Sequence, residues 1–143
     1  EGAEQMDSIL LSVRCTAFLT QRFLSRAKQA GYLKNTTVVL LSDHLAHKNT
    51  QYKKLQKIDR QNFALIMEPH GRTGYVQTHG SMIDMYPTLL ELTGYGLPER
   101  RQGLGISLLS GNPTLVEQYG VEMLDKVILG DKELRARLWD ASP

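Results

Sequence analysis

The sequence predicts an α/β fold, and two neighbouring segments carry that prediction. "DSILLSVRCTAFLTQRFLSRAKQAG" places Leu10, Val13, Ala17, Leu24 and Ala27 at helical spacing. Residues 36–41, "TTVVLL", form a continuous β-branched and apolar run that suits a strand covered on both faces. A long helix, a short turn and a buried strand, in that order, build a sheet flanked by helices.

The remaining elements follow from local chemistry. Asp7 or Ser8 can cap the first helix, and Gly31 stops it before the turn "YLKN". Residues 44–61 are polar and without a clean period, so they predict a long loop with one helical turn near 53–58. "NFALIME" predicts a second buried strand ending before Pro69, "HGRTG" a turn, and residues 75–78 a short strand. "SMIDMYPTLLELTG" predicts a helix that begins near Tyr86, with Pro87 in its first turn, and ends at Gly94. Met82, Ile83, Met85, Leu89, Leu90 and Leu92 are its core candidates. The stretch "YGLPERRQGLGISLLSGNP" predicts irregular structure, and residues 113–139 two short helices separated near Gly130.

Composition narrows the function classes. With 143 residues, 41% of them hydrophobic and 22% charged, the chain is in the range of one globular domain. A net charge of +2 and a pI near 8.7 are too mild to predict nucleic-acid binding, although residues 48–60 are locally basic. The single cysteine, Cys15, excludes an internal disulfide framework, and its apolar helical surroundings predict a buried, inert thiol. No apolar run reaches the ~18 residues of a spanning helix. The chain opens on "EGAEQMDSILL" without an initiator methionine, so a processed product or an excised piece is expected.

Candidate chemistry begins where the first strand ends. Asp43 and His44 stand just beyond its carboxyl end, where a rigid strand can fix functional groups. A carboxylate and an imidazole are good ligands for a divalent ion such as Mn²⁺ or Zn²⁺. Spacing alone leaves a second reading open, in which Asp43 caps the following turn and His44 is solvated. His47, His70 and His79 are open to the same plain reading.

Two motifs in order add to this. "VVLLSDH" at 38–44 and "IDMYPTLLELTG" at 83–94 resemble the C-terminal part of the catalytic domain in the alkaline phosphatase and sulfatase superfamily. Within it, "SDHLA", "KNT", "DRQN" and "GLGISLLSG" resemble phosphoglycerol transferases that decorate periplasmic glucans, and more distantly lipoteichoic acid synthases. The resemblance covers most of residues 7–139. It implies a central β-sheet flanked by helices, with residues 1–143 forming the C-terminal part of such a domain. Asp43 and His44 are then two ligands of a divalent metal, Mn²⁺ in the first instance, with Mg²⁺, Zn²⁺ and Ca²⁺ as alternatives. His79, Lys48 and Arg72 become substrate-binding candidates, the last two as cations beside a phosphate. The resemblance further implies a phosphatidylglycerol donor, a glucan acceptor, no nucleic acid, and a partner in the N-terminal half of the same domain. It also implies a periplasmic setting, with the whole protein anchored in the inner membrane. The resemblance implies a threonine nucleophile upstream of this chain; Thr16, Thr36 and Thr37 do not stand in the family's threonine motif, and this chain alone is expected to lack turnover. A sulfatase or phosphatase of the same superfamily and a non-catalytic α/β interaction module are the alternatives.

Overall fold

Asp7 caps the first helix as the sequence predicts. In the computed structural model, which describes residues 7–69, 71 and 73–139, its carboxylate accepts from Ile9 N at 2.9 Å and from Gln51 Nε2 at 3.0 Å. The chain divides into two compact units, Glu1–Thr73 and Gly74–Pro143.

In the first unit, α1 (Ser8–Gln29) carries Arg26 and Lys28 in its last turn, where cations complement the helix dipole. Gly31, at φ 83°, ends it in the left-handed region and leads into one 3₁₀ turn, Tyr32–Lys34. Strand β1 (Val38–Leu41) pairs antiparallel with β2 (Ala64–Met67), Val38 opposite Met67 and Leu41 opposite Ala64. Between them lies the short helix α2 (Tyr52–Leu55), close to the helical turn predicted in that loop.

Two expectations fail here. Both strands were predicted to be buried, yet β1 is half-buried with Leu41 exposed, and Ala64 and Leu65 of β2 are exposed. A two-stranded ribbon has too few neighbours among the described residues to cover both faces. Cys15 was predicted to be buried and is exposed. The physical reason is that α1 carries apolar side chains around most of its circumference, whereas only a narrow strip including Leu24 and Ala27 is half-buried.

The second unit is organised by α3 (Met82–Leu92). It starts four residues before the predicted position because Ser81 caps it: Asp84 Oδ2 accepts from Ser81 N at 2.8 Å and from Ser81 Oγ at 3.2 Å. Pro87 is therefore inside the helix rather than in its first turn, and the missing N–H leaves the Ile83 carbonyl without its helical donor. Gly105 packs against that carbonyl, where a Cβ would stand 2.3 Å from Ile83 O and 3.0 Å from Pro87 Cγ.

Asp84 and Thr88, 2% and 1% exposed, join α3 to the next segment. Asp84 Oδ1 accepts from Ile106 N at 2.9 Å, while Thr88 Oγ1 donates to Asp84 O at 2.6 Å and accepts from Leu108 N at 2.9 Å. Of the predicted core, Met85 is buried, Leu89, Leu90 and Leu92 are half-buried, and Met82 and Ile83 are exposed. The predicted strand at 75–78 does not form. Instead a hairpin, β3 (Arg101–Gln102) with β4 (Gly105–Ile106), turns at Gly103, φ 59°, inside the stretch predicted to be irregular.

Three helices follow where two were predicted: α4 (Leu115–Tyr119), α5 (Val121–Gly130) and α6 (Lys132–Trp139). Gly120, at φ 77°, makes the extra break. The start of α4 also pins the chain at His79. Glu117 accepts from His79 N at 2.9 Å through Oε1 and from Thr114 N at 3.0 Å through Oε2, and the Thr114 hydroxyl donates to His79 O.

Asp84→Ala leaves the Ser81 and Ile106 donors without an acceptor and should cost on the order of 3 kcal/mol by chemical denaturation. Asp84→Asn, which keeps one acceptor oxygen, should lose less; equal stability of the alanine variant and the wild type would refute this account. Gly105→Ala forces a methyl group into the Ile83 carbonyl and should cost about 1–3 kcal/mol, measured in the same way. The bonds from His79 N, then from Thr114 N, hold the Glu117 carboxyl below its ordinary pKa. A depressed folded-state pKa stabilises above the unfolded value and is lost as pH falls through the folded one. The melting-temperature gap between wild type and Glu117→Gln should therefore be open at about pH 7 and shrink below about pH 4.

Candidate functional site

The β1–β2 pairing continues one step past the strands. Ser42 N donates to Phe63 O at 2.9 Å, and Phe63 N donates to Ser42 Oγ at 2.8 Å. This closure fixes the point at which the chain leaves the ribbon, and Asp43 and His44 are the first residues beyond it.

The two side chains turn toward each other. His44 N donates to Asp43 Oδ1 at 2.9 Å, and His44 Nε2 stands 3.5 Å from Asp43 Oδ2. On the far side of the ring, His44 Nδ1 is 2.8 Å from Leu45 O. A carbonyl can only accept, so this contact assigns the hydrogen to Nδ1 and, in the neutral ring, leaves the Nε2 lone pair facing the carboxylate. A backbone carbonyl on one ring nitrogen is how proteins fix the tautomer of a metal-binding histidine. Two bonds of ~2.1 Å to a common ion can span the gap. The donor set thus suits a divalent cation, although among the described residues no group of three or more His, Cys, Asp or Glu side chains converges.

Both side chains are open to solvent, Asp43 at 88% and His44 at 54%. The loop behind them is nevertheless held. The His47 ring packs on the His44 ring with centroids 4.5 Å apart and planes tilted by 42°. Asn49 Nδ2 donates to His47 O at 2.9 Å, and Asn49 Oδ1 accepts from Gln51 N at 2.8 Å. Thr50 and then Gln51 hold the Asp7 carboxyl below its ordinary pKa, which ties this loop to the start of α1.

The other predicted site residues are dispersed. Lys48 lies in the same loop, its ammonium 6.0 Å from the Tyr52 ring centroid, a weak cation–π contact. His79 belongs to the second unit, with an exposed side chain and a backbone clasped by Thr114 and Glu117. Arg72, like His70, lies outside the described residues.

Two further neighbours were not counted as site residues from the sequence. His47 has only its proximity to His44 as a signal. Arg60 donates from Nη2 to Ala46 O at 2.6 Å, bringing a guanidinium beside the Asp43–His44 loop. A basic segment was visible there, but not which of its cations folds back.

Comparison with known proteins gives the family. The chain is 33% identical over 132 residues to a phosphoglycerol transferase I of Salmonella arizonae, covering 90% of this chain and 16% of that protein. It is 32% identical to the Citrobacter koseri phosphoglycerol transferase I over 85% of the chain and 14% of that protein. For the Xanthomonas campestris phosphoglycerol transferase I the figures are 34%, 73% and 15%. The chain therefore spans about a sixth of the length of these curated relatives. No solved structure matches it. The sulfatase family matches residues 1–95, a span that includes the Asp43–His44 pair and α3, and the chain belongs to that family.

Proposed function

We propose that the chain contributes half of a divalent-metal site to a phosphoglycerol transferase of the cell envelope. The observation that carries this reading is the strand-end pair itself, with His44 Nε2 and Asp43 Oδ2 facing each other at 3.5 Å and Leu45 O occupying Nδ1. Relatives named phosphoglycerol transferase I support the reaction class.

In this reading Asp43 and His44 hold the ion, with Mn²⁺ as the first choice. A bound divalent ion draws charge from a phosphoryl oxygen and lowers the pKa of a coordinated hydroxyl. Asp43 supplies the negative charge, and His44 a neutral donor whose ring is oriented by Leu45 O and by the His47 ring. Lys48 offers an exposed ammonium in the same loop to an anionic substrate. His79 and Arg72 remain proposed substrate contacts.

The whole protein would move phosphoglycerol from phosphatidylglycerol to a periplasmic glucan in two steps. A threonine outside this chain attacks the phosphodiester, diacylglycerol leaves, and an acceptor sugar hydroxyl displaces the threonine. An inner-membrane anchor on the whole protein would bring it to its lipid donor. Among the described residues no helix is long and apolar enough to cross a membrane.

Titration of this chain with Mn²⁺, followed by calorimetry and by the paramagnetic broadening of the His44 ring protons, tests the metal half of the proposal. Weak but saturable binding is expected, with affinity lost by at least tenfold in the Asp43→Ala, His44→Ala double variant, since two donors then disappear. Identical titrations for both proteins, or an unshifted melting temperature with metal in both, would leave Asp43 and His44 as structural residues.

A further inference from the structure

Arg60 closes the loop behind the metal pair with one bond and keeps most of its donors. Its Nη2 donates to Ala46 O at 2.6 Å, fourteen positions back along the chain and two residues beyond His44. One such bond uses a single N–H of a guanidinium that carries five. Among the described residues Arg60 makes no ion pair. The adjacent acid, Asp59, accepts instead from Gln61 Nε2 at 3.2 Å. The cation is therefore anchored by a neutral carbonyl and keeps its full charge beside a loop whose own acid, Asp43, faces His44.

An arginine required only as a staple is indifferent to the charge it leaves uncompensated. An arginine required for an anion needs a fixed plane and free N–H groups in a fork that matches two oxygens of a tetrahedral group. The anchor at Ala46 O restrains the plane and the missing ion pair preserves the free N–H groups. We infer that Arg60 is a substrate-binding residue, which receives a tetrahedral oxyanion of the phosphoryl or sulfuryl class at the Asp43–His44 site. This rests on the metal reading above. The neighbouring ammonium groups of Lys48, Lys53, Lys54 and Lys57, all exposed, raise the local anion concentration without fixing its orientation.

The test uses this chain with Mn²⁺ at saturation, glycerol 1-phosphate and inorganic sulfate as separate probes, and the variants Arg60→Lys and Arg60→Gln. The wild type should bind at least one probe, and the tighter of the two marks the phosphoryl or the sulfuryl class. Arg60→Lys, which keeps the charge and loses the fork, should weaken that probe about tenfold, and Arg60→Gln further, with the Mn²⁺ affinity and melting temperature unchanged. Loss of Mn²⁺ affinity in parallel with the probe would make Arg60 a staple of the loop and overturn the inference. So would equal probe binding by wild type and Arg60→Lys, or no probe binding by a wild type that does bind Mn²⁺. A wild type that binds no Mn²⁺ would instead overturn the metal reading on which the inference stands.

Discussion

The pairing of β1 with β2, closed by the exchange between Ser42 and Phe63, is the constraint from which the first unit's chemistry follows. It fixes where the chain leaves the ribbon, so Asp43 and His44 emerge from a defined point rather than from a free loop. It also fixes where the chain returns: Arg60 stands four positions before the start of β2, and its bond to Ala46 O closes the loop. The loop between those points is long and polar, and freezing it costs about 1–2 kcal/mol per ordered residue. Local bonds at Asn49 and the bond from Gln51 to Asp7 offset part of that cost. In the second unit the buried Asp84 carboxylate has the corresponding part. It caps α3 and receives β4 at once, so the helix start and the hairpin position depend on a single side chain.

The sequence made the local signals legible and the long-range ones much less so. The Asp7 cap and the Gly31 stop could be placed because a capping carboxylate and a left-handed glycine act within a few residues. The strands β1 and β2 could be placed from composition, since β-branched runs favour extended backbone wherever they lie. Their exposure could not, because burial depends on what packs against them. Pro87 was misplaced because proline statistics favour the first helical turn. The capping box at Ser81 starts α3 earlier, and the proline's missing N–H is accommodated where Gly105 packs against Ile83 O. Asp84 drew no attention because an acid among apolar residues ordinarily reads as the solvent face of a helix.

For the site, the same division holds. Asp43 and His44 could be chosen because strand ends are where α/β sheets display functional groups, and the downstream "PTLL" segment gave them company. The tautomer of His44 rests on the carbonyl of the next residue, and the cation beside it comes from fourteen positions downstream. Neither is encoded in spacing; both need the loop's actual path. The counterpart candidates differ in origin, Lys48 named for its charge and His79 for its place before the "PTLL" segment in the family pattern, and the fold gives both modest contacts.

The exposure of Asp43 bears on what the pair can do. A carboxylate that is 88% exposed keeps most of its hydration, so the fold has spent little free energy on desolvating it. That hydration must be surrendered when an ion binds, and the gain from a single carboxylate and a single imidazole has to exceed it. Sites that bind divalent ions tightly do so with three or four protein donors held in advance. A pair alone therefore favours weak and exchangeable binding, which further donors, a substrate oxygen among them, would strengthen. The anchored guanidinium of Arg60 suits the same logic: a cation cannot ligate a metal, but it can hold the anion whose oxygen completes the coordination. Metal and anion would then bind cooperatively, each raising the affinity for the other by the same factor.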